Sequence, residues 1–252
     1  MSGEIMNRRT LLLAAALMAS AAPASAGIDQ AGTTSANFLS IGAGASVLGM
    51  GGATLGMSGD LNAASWNPGA LGVLNETQMT FSHAGLAAQS AQEWASIGSR
   101  FGSKTRWSMS GLYQGDGSID GRDAFNNPIG SMTVSSMALG FHAAQPVSPN
   151  VSIGLGFKYV AELLAGVSGA GLGFDAGVLM RTGPLGFGLA AQNLGGKVKY
   201  DGGSSFSMPQ NIGAGASYTD EAHGLRYAVD MNFPNAYYND LRAGVEWMYK
   251  DR

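Results

Sequence analysis

The sequence contains no cysteine, few charged residues and no long apolar run beyond its N-terminus. Without cysteine, the chain has no disulfide and no thiolate chemistry. Only 12% of its 252 residues are charged, about half the share found in an ordinary soluble domain. The body of the chain also lacks the ~18 consecutive apolar residues that a membrane-spanning helix needs. This composition disfavours both a typical cytosolic enzyme and a helical membrane protein.

The N-terminus has the pattern of a secretory signal peptide. Arg8 and Arg9 precede an apolar run over residues 11–18, and Ala24 and Ala26 form a small-x-small cleavage site. The apolar run is too short to anchor the chain in a bilayer as a helix. We therefore expect a signal peptide over residues 1–26, cleaved on export.

Apolar residues alternate with small or charged residues through most of the remaining chain. Side chains of a strand point alternately to two faces, so each such segment has one apolar face and one small or charged face. The pattern is clearest over residues 224–249, where Leu225, Tyr227 and Val229 alternate with Arg226, Ala228 and Asp230. The other alternating segments are 78–88, 92–101, 105–114, 132–144, 151–159, 171–181, 185–192 and 209–219. About ten strands of roughly ten residues are predicted, the length of a tilted membrane strand.

Two features favour a membrane barrel over a soluble sandwich. The less apolar face carries mostly Gly, Ala and Ser, whereas a sandwich surface usually carries Lys, Glu and Thr. Aromatic residues such as Trp107, Tyr159 and Trp247 lie near strand ends, where an interfacial girdle would lie. We predict an all-β fold, an antiparallel transmembrane β-barrel over residues 77–252. With the export signal, this predicts a location in the bacterial outer membrane.

The last two predicted strands suggest a specific register. A hairpin whose turn centres on Ala236 places Arg226 opposite Glu246. It also places Asp230 opposite Arg242 on the same face. A slip by one residue would turn these charges toward lipid, at about 2–4 kcal/mol for an Arg at mid-depth. We therefore predict a charge ladder of these four side chains facing the barrel lumen; the alternative is four unpaired, solvated lumen charges.

A Gly-rich segment with two distinctive runs precedes the first strand. Residues 45–53 read Ala-Ser-Val-Leu-Gly-Met-Gly-Gly-Ala, Asp60 follows, and residues 65–71 read Ser-Trp-Asn-Pro-Gly-Ala-Leu. This segment resembles the N-terminal signature of the PorV/PorQ-type outer-membrane proteins, relatives of the FadL long-chain fatty-acid transporters. Their signature reads Ala-Arg-Ala-x-Gly-Met-Gly-Gly-Ala, an acidic residue, then Trp-Asn-Pro-Ala-Gly-Leu. Similar runs at 156–159, 192–195, 208–209 and 241–247 extend the resemblance over the mature chain.

The resemblance implies that residues 27–76 form a hatch folded into the barrel lumen. The hatch residues it implies are Gly49, Met50, Gly51, Gly52, Ala53, Asp60, Trp66, Asn67, Pro68, Gly69, Ala70 and Leu71. Two departures from the family pattern are present: Ser46 replaces its Arg, and Gly69-Ala70 reverses its Ala-Gly. Contacts that depend on those features do not carry over. The alternative is that these runs merely begin the first strand.

The number of strands raises the question of how the barrel closes. Relatives have more strands than the ten or so predicted here, and the chain ends at residues 250–252 without the usual terminal aromatic strand. A barrel cannot leave an open edge in lipid. We therefore expect a C-terminally truncated chain; the alternative is a smaller barrel closed by the strand that begins at Leu241.

No motif predicts catalysis, a metal site or a cofactor. The Gly-rich segment lacks the Gly-Lys-Ser/Thr of a phosphate-binding loop. His83, His142 and His223 are far apart and have no neighbouring ligands at metal spacing. Residues 116–123 resemble half of a calcium loop whose first ligands are missing, so we interpret them as a polar loop between strands. We predict no catalytic residue, no metal and no cofactor.

Three functions follow from the resemblance and the barrel. The resemblance implies a non-enzymatic accessory of type IX protein secretion, which receives exported cargo proteins and passes them to the surface-attachment machinery. The alternatives are a FadL-like transporter of hydrophobic small molecules and a structural outer-membrane barrel. A transporter needs an apolar lumen pocket, whereas the predicted inner face is small and charged. The expected partners are outer-membrane lipid and either cargo with its secretion machinery or a hydrophobic small molecule. The net charge of −3 gives no sign of nucleic acid.

Overall fold

The computed structural model describes residues 32–249 as a large antiparallel sheet preceded by a segment of short helices. The strands are β1 Gln78–Gly85, β2 Ala91–Phe101, β3 Thr105–Arg122, β4 Pro128–Ser148, β5 Val151–Leu164, β6 Val167–Thr182, β7 Leu185–Tyr200, β8 Ser205–Ser207, β9 Asn211–Asp220, β10 Leu225–Pro234 and β11 Asp240–Trp247. Each strand pairs with the next one along the chain from β1 to β7. Strand β7 then pairs with β9, which is followed by β10 and β11, and the short strand β8 pairs with β7 alone. The predicted all-β, antiparallel fold is confirmed. The predicted cleavage site at Ala24 and Ala26 lies outside the described residues.

The sheet is open within residues 32–249. Neither β1 nor β11 has a second strand beside it there. One segment nevertheless reaches both edges. Thr80 Oγ1, in β1, donates to Asn62 Oδ1 over 2.8 Å, and Gly244, in β11, lies against the backbone of Met50. The sheet therefore curves around the segment that precedes it.

Short helices make up this N-terminal segment, which we define as residues 35–74. They are the 3-10 helices Asn37–Ser40, Leu61–Ser65 and Pro68–Val73 and the one-turn α-helix Ala45–Gly49; a further 3-10 helix, Ala87–Gln89, connects β1 to β2. Asp60 caps the second 3-10 helix by accepting a hydrogen bond from Asn62 N at 2.8 Å. Within residues 32–249, no helix is both long and apolar enough to cross a bilayer. Because β1 begins only at Gln78, the alternative in which the two signature runs start the first strand is wrong.

The two faces of the sheet differ in what they contact. The outer face carries large apolar side chains, and Phe81 and Leu241 are 75% and 70% exposed. One lateral row crosses β1 to β6 through Met79, Ile97, Met109, Phe141, Phe157 and Phe174. The inner face packs against the N-terminal segment, and the apolar core lies between them. Its largest cluster joins Phe38 of the segment to Trp94, Leu112, Val160, Val198 and Met208.

The observed strands depart from the predicted ones in length and in two places. Strands β3 to β7 have 18, 21, 14, 16 and 16 residues, more than the roughly ten predicted. The predicted polar loop at residues 116–123 is wrong, because β3 continues to Arg122 and the loop covers residues 123–127 only. The alternation breaks there because the β3–β4 ladder shifts register after Gly115. Gly117 at φ +65° supports this irregularity. Strand β8, Ser205–Ser207, lies outside the predicted strands.

Candidate functional site: the segment on the small-residue face

Glycines on the inner face let the backbone of the N-terminal segment lie directly on the sheet. At each of these positions, an added Cβ would overlap an atom of the segment. The pairs are Gly154 beneath Pro68, Gly177 beneath Asn67, Gly186 beneath Gly56, and Gly188 beneath the Leu55 carbonyl. The Gly, Ala and Ser residues of the predicted inner face therefore form a packing surface for the segment.

Polar side chains of the sheet bind the backbone carbonyls of the segment. Burying a carbonyl without a partner costs about 1–3 kcal/mol, so each of these contacts removes a penalty. The donors are Ser152 Oγ to Gly69 O at 2.6 Å, Gln192 Nε2 to Trp66 O at 2.7 Å, Ser217 Oγ to Gly56 O at 2.7 Å, and Arg106 Nε to Leu74 O at 3.1 Å. They come from β5, β7, β9 and β3, so the segment is bound across most of the sheet.

Asn67 makes three side-chain hydrogen bonds. Its side chain is completely buried. Its Nδ2 donates to Leu55 O at 2.7 Å and to Val178 O, in β6, at 3.1 Å. Its Oδ1 accepts from Gly69 N at 3.0 Å and so caps the helix Pro68–Val73. Asn67 therefore joins two parts of the segment to each other and to the sheet.

The predicted register of β10 and β11 is confirmed. Arg226 lies opposite Glu246, and Asp230 lies opposite Arg242. The first pair forms an ion pair, with Arg226 Nη1 3.1 Å from Glu246 Oε2. This half of the predicted ladder is present as an interaction.

Asp230 and Arg242 face each other but bind different partners. Asp230 is 1% exposed and accepts hydrogen bonds from Thr54 N at 2.6 Å and Leu55 N at 2.9 Å. Arg242 instead pairs with Asp240, at 2.8 Å from Nε to Oδ1. The Asp230 carboxylate therefore binds two backbone N–H groups of the segment, and not the Arg242 guanidinium with which the predicted ladder pairs it. Asp230 is a docking residue for the segment.

Most of the twelve hatch residues implied by the resemblance are in contact with the sheet or the segment core. Trp66 is 7% exposed, and the Arg242 guanidinium lies 5.3 Å from the centre of its ring. Gly52 and Asp60 are half-buried, while Gly49 and Gly51 are exposed. The buried members are Met50, Ala53, Trp66, Asn67, Pro68, Gly69, Ala70 and Leu71.

A buried ionic cluster on the inner face was not predicted as a unit. Asp175 Oδ2 lies 3.0 Å from His142 Nε2 and 3.1 Å from Lys158 Nζ. Asp175 Oδ1 accepts from Asn193 N at 2.9 Å, and Lys158 Nζ donates to Ser65 O at 3.3 Å. The alternation predicts that Lys158 and Asp175 face inward on neighbouring strands. It does not predict that His142 from a third strand completes the cluster.

The cluster has the contacts of an ion-pair network, and its histidine has no hydrogen bond to a nucleophilic side chain. His142 Nδ1 is buried and has no hydrogen-bond partner, so no serine of the described chain is activated by it. Within residues 32–249, no three His, Asp or Glu residues are grouped to hold a metal ion. Through Ser65, the cluster instead connects three strands to the N-terminal segment.

Cavities of very different size adjoin the segment. A cavity of about 40 Å³ lies between Trp66, Trp94 and Lys158. A much larger cleft, about 590 Å³, opens where the segment begins. We call it the N-terminal cleft; its walls include Phe38, Gln114, Asp116, Glu162, Tyr200 and Phe206.

Comparison with known proteins gives no family for this chain. A scan against protein-family models finds no match, and a search of curated proteins finds no significant one. The resemblance to PorV/PorQ-type proteins therefore stays a prediction. What the arrangement offers chemically is a docked segment, an apolar outer face and several large clefts, of which the N-terminal cleft is one.

Proposed function

We propose that this protein is an outer-membrane β-barrel with an N-terminal hatch that acts as a non-enzymatic accessory of type IX secretion. In this role it receives exported cargo proteins and passes them to the surface-attachment machinery. The observation that carries the membrane location is the exposed apolar outer face of the sheet. The secretion role rests on the resemblance of the N-terminal segment to PorV/PorQ-type proteins.

The outer face suits lipid better than water. Its central row contains six large apolar side chains on six neighbouring strands and no charge. Met79 and Phe174 within that row are 76% and 57% exposed. Soluble proteins rarely expose contiguous apolar patches of this extent, because such patches associate in water. Lipid tails would cover the row at no such cost.

The inner face supports a hatch. The N-terminal segment contacts β1 and β11 and is hydrogen-bonded to strands between them. The cavity beside Trp66 and Lys158 holds only about 40 Å³, so the segment fills the space along this part of the sheet. In the proposed barrel, the edges of β1 and β11 are covered, because lipid offers their backbone groups no partners.

The membrane location is tested by extraction and gel migration. We expect the protein to partition with outer membranes, to need detergent for extraction, and to migrate faster on gels before boiling than after it. Full solubility without detergent would contradict the proposal.

The secretion role is tested by deleting the gene in the source bacterium. We expect the cells to lose surface display of proteins that carry C-terminal secretion domains, and to recover it when the wild-type gene is returned. Growth on a long-chain fatty acid should not change. Unchanged surface display would contradict the secretion role while leaving the membrane location intact.

The N-terminal cleft favours a second candidate function, transport of hydrophobic small molecules. At about 590 Å³ it is large enough for a ligand, and Phe206 and Val167 expose apolar surface in its wall. In the deletion experiment, a transporter would show the opposite result. Uptake of a hydrophobic nutrient would fall and surface display would stay normal.

A further inference from the structure

Two exposed lysines lie on the outer face of β7, directly beyond the apolar part of that strand. The outward positions over residues 185–194 are all apolar, and they cover about ten residues, the length of a tilted membrane strand. Lys197 and Lys199 follow on the same face, because they lie opposite the outward residues Leu172 and Ala170 of β6. In the proposed barrel they therefore lie at the edge of the apolar band, where a charge beside lipid costs little.

Neither lysine has an ionic partner in the described chain. Among residues 32–249, no carboxylate lies within ion-pair distance of either one. By contrast, His83 and Glu93, also on the outer face, lie 2.6 Å apart and bind each other. Asp201 follows Lys199 by two positions, and its carboxylate accepts a hydrogen bond from Ser168 N at 3.3 Å. Two lysines and one aspartate leave this part of the outer face with a net positive charge.

Strand β8 adds two hydroxyl groups beside the lysines. Ser207 lies opposite Lys197, and Ser205 lies opposite Lys199. Residues directly opposite each other in an antiparallel pair point to the same face, with Cβ atoms about 4.5–5.5 Å apart. Among residues 32–249, neither hydroxyl has a hydrogen-bond partner. Two ammonium and two hydroxyl groups thus share one patch with free donors. We call these four residues the lysine patch.

A groove on the outer face begins at the lysine patch. It has a volume of about 550 Å³ and extends from Lys199 to Tyr113 in β3. Tyr113 and Tyr159 in the groove are 49% and 40% exposed, and tyrosine is typical of the zone between lipid tails and head groups. The floor of the groove is one lateral row of the sheet, formed by Tyr113, Met137, Ala161, Ala170 and Lys199.

We propose that the lysine patch binds the phosphate head group of an anionic membrane lipid. A phosphate monoester carries negative charge and three acceptor oxygens, which match the ammonium and hydroxyl donors. The rest of the lipid lies along the groove and along Leu172 and Phe174, which are 53% and 57% exposed and continue into the apolar outer face. A zwitterionic lipid would instead place a cation of its own near the lysines. This inference rests on the proposed membrane location and does not depend on the secretion role.

The test is native mass spectrometry of the purified protein, released from non-ionic detergent that contains equal amounts of dioleoyl phosphatidate and dioleoyl phosphatidylcholine. We expect the wild-type protein to retain phosphatidate about tenfold more than phosphatidylcholine, since each lysine near a membrane surface attracts an anionic lipid. Excess inorganic phosphate should not displace the lipid. Equal retention of the two lipids, or displacement by inorganic phosphate, would overturn the proposal.

Variants locate the lipid site. The double variant Lys197→Gln, Lys199→Gln should reduce the preference for phosphatidate from about tenfold to less than about twofold. The charge-matched control is Arg100→Gln, Lys104→Gln, which removes two exposed cations beside the β2–β3 turn, at the opposite end of the strands. It should keep the wild-type preference. Heat-dependent gel migration checks that each variant is folded. If the folded lysine variant prefers phosphatidate as the wild type does, the lysine patch is not the site.

The outcome is distinguishable from the test of the membrane location. A protein that needs detergent but shows no preference for phosphatidate would keep the proposed membrane location and lose the lipid site. A protein that is fully soluble without detergent would contradict both. Because binding is measured on purified protein, failure of secretion in cells does not affect the result.

Discussion

The two faces of the sheet are built from alternate residues of the same strands, yet their residues are constrained differently. Phe157 points outward and is 45% exposed, while its neighbour Lys158 reaches Asp175 and the segment on the inner side. Outer residues contact no part of the segment, so they need only be apolar. Inner residues meet a defined backbone or polar atom, so each has its own steric and hydrogen-bonding requirement. Substitutions should therefore separate the two faces.

The largest effect is expected for a charge on the outer face. Phe157→Arg, in the central row, should lower the free energy of unfolding in lipid vesicles by about 2–4 kcal/mol, because the guanidinium would face hydrocarbon. The control is Phe125→Arg in the β3–β4 loop, where the side chain is 85% exposed; it should change stability by less than about 0.5 kcal/mol. Equal effects at both positions would mean that the outer face does not lie in lipid.

The next effect tests the close approach on the inner face. Gly188→Ala should destabilise the protein by about 1–3 kcal/mol, since a Cβ there overlaps the Leu55 carbonyl. Gly85→Ala is the matched control, because a Cβ at Gly85 would have no atom within 4 Å. It should change stability by less than about 0.5 kcal/mol. Both are measured by denaturant unfolding in detergent, and a harmless Gly188→Ala would show that the segment is not held against β7.

Sequence periodicity predicted the features of the fold that depend only on neighbouring strands. The alternation identified most strands, and the register of β10 and β11 followed from one short hairpin, where Arg226 and Glu246 are near in sequence. Many contacts between the segment and the sheet join residues far apart in the chain; Thr54 and Asp230 are 176 positions apart. Alternation shows only that Asp230 faces inward. Which donor it meets depends on the path of the segment, and no local pattern encodes that path.

A smaller effect tests single hydrogen bonds to the segment. Ser217→Ala should lower the free energy of unfolding by about 1 kcal/mol, because it leaves the buried Gly56 carbonyl without its donor. The control is Ser99→Ala, which removes an exposed hydrogen bond to Thr77 and should cost less than about 0.5 kcal/mol. Equal losses in denaturant unfolding would indicate that water replaces the Ser217 donor, and that the inner face is wetter than its packing suggests.

The smallest effect separates pairing from burial on the inner face. Arg226 and Glu246 are partly exposed, with 17% and 33% of their side-chain surface accessible, so their coupling should be about 0.2–1 kcal/mol. The measurement is a double-mutant cycle with Arg226→Ala and Glu246→Ala in denaturant unfolding. Exchanging the two charges should restore most of the coupling, and added salt should reduce it. A coupling near zero would show that the ion pair does not stabilise the register. The register would then depend on the apolar pair Leu225 and Trp247, which lie directly opposite each other on the outer face. In that case the outer face, where residues need only be apolar, would be the face that aligns the hairpin.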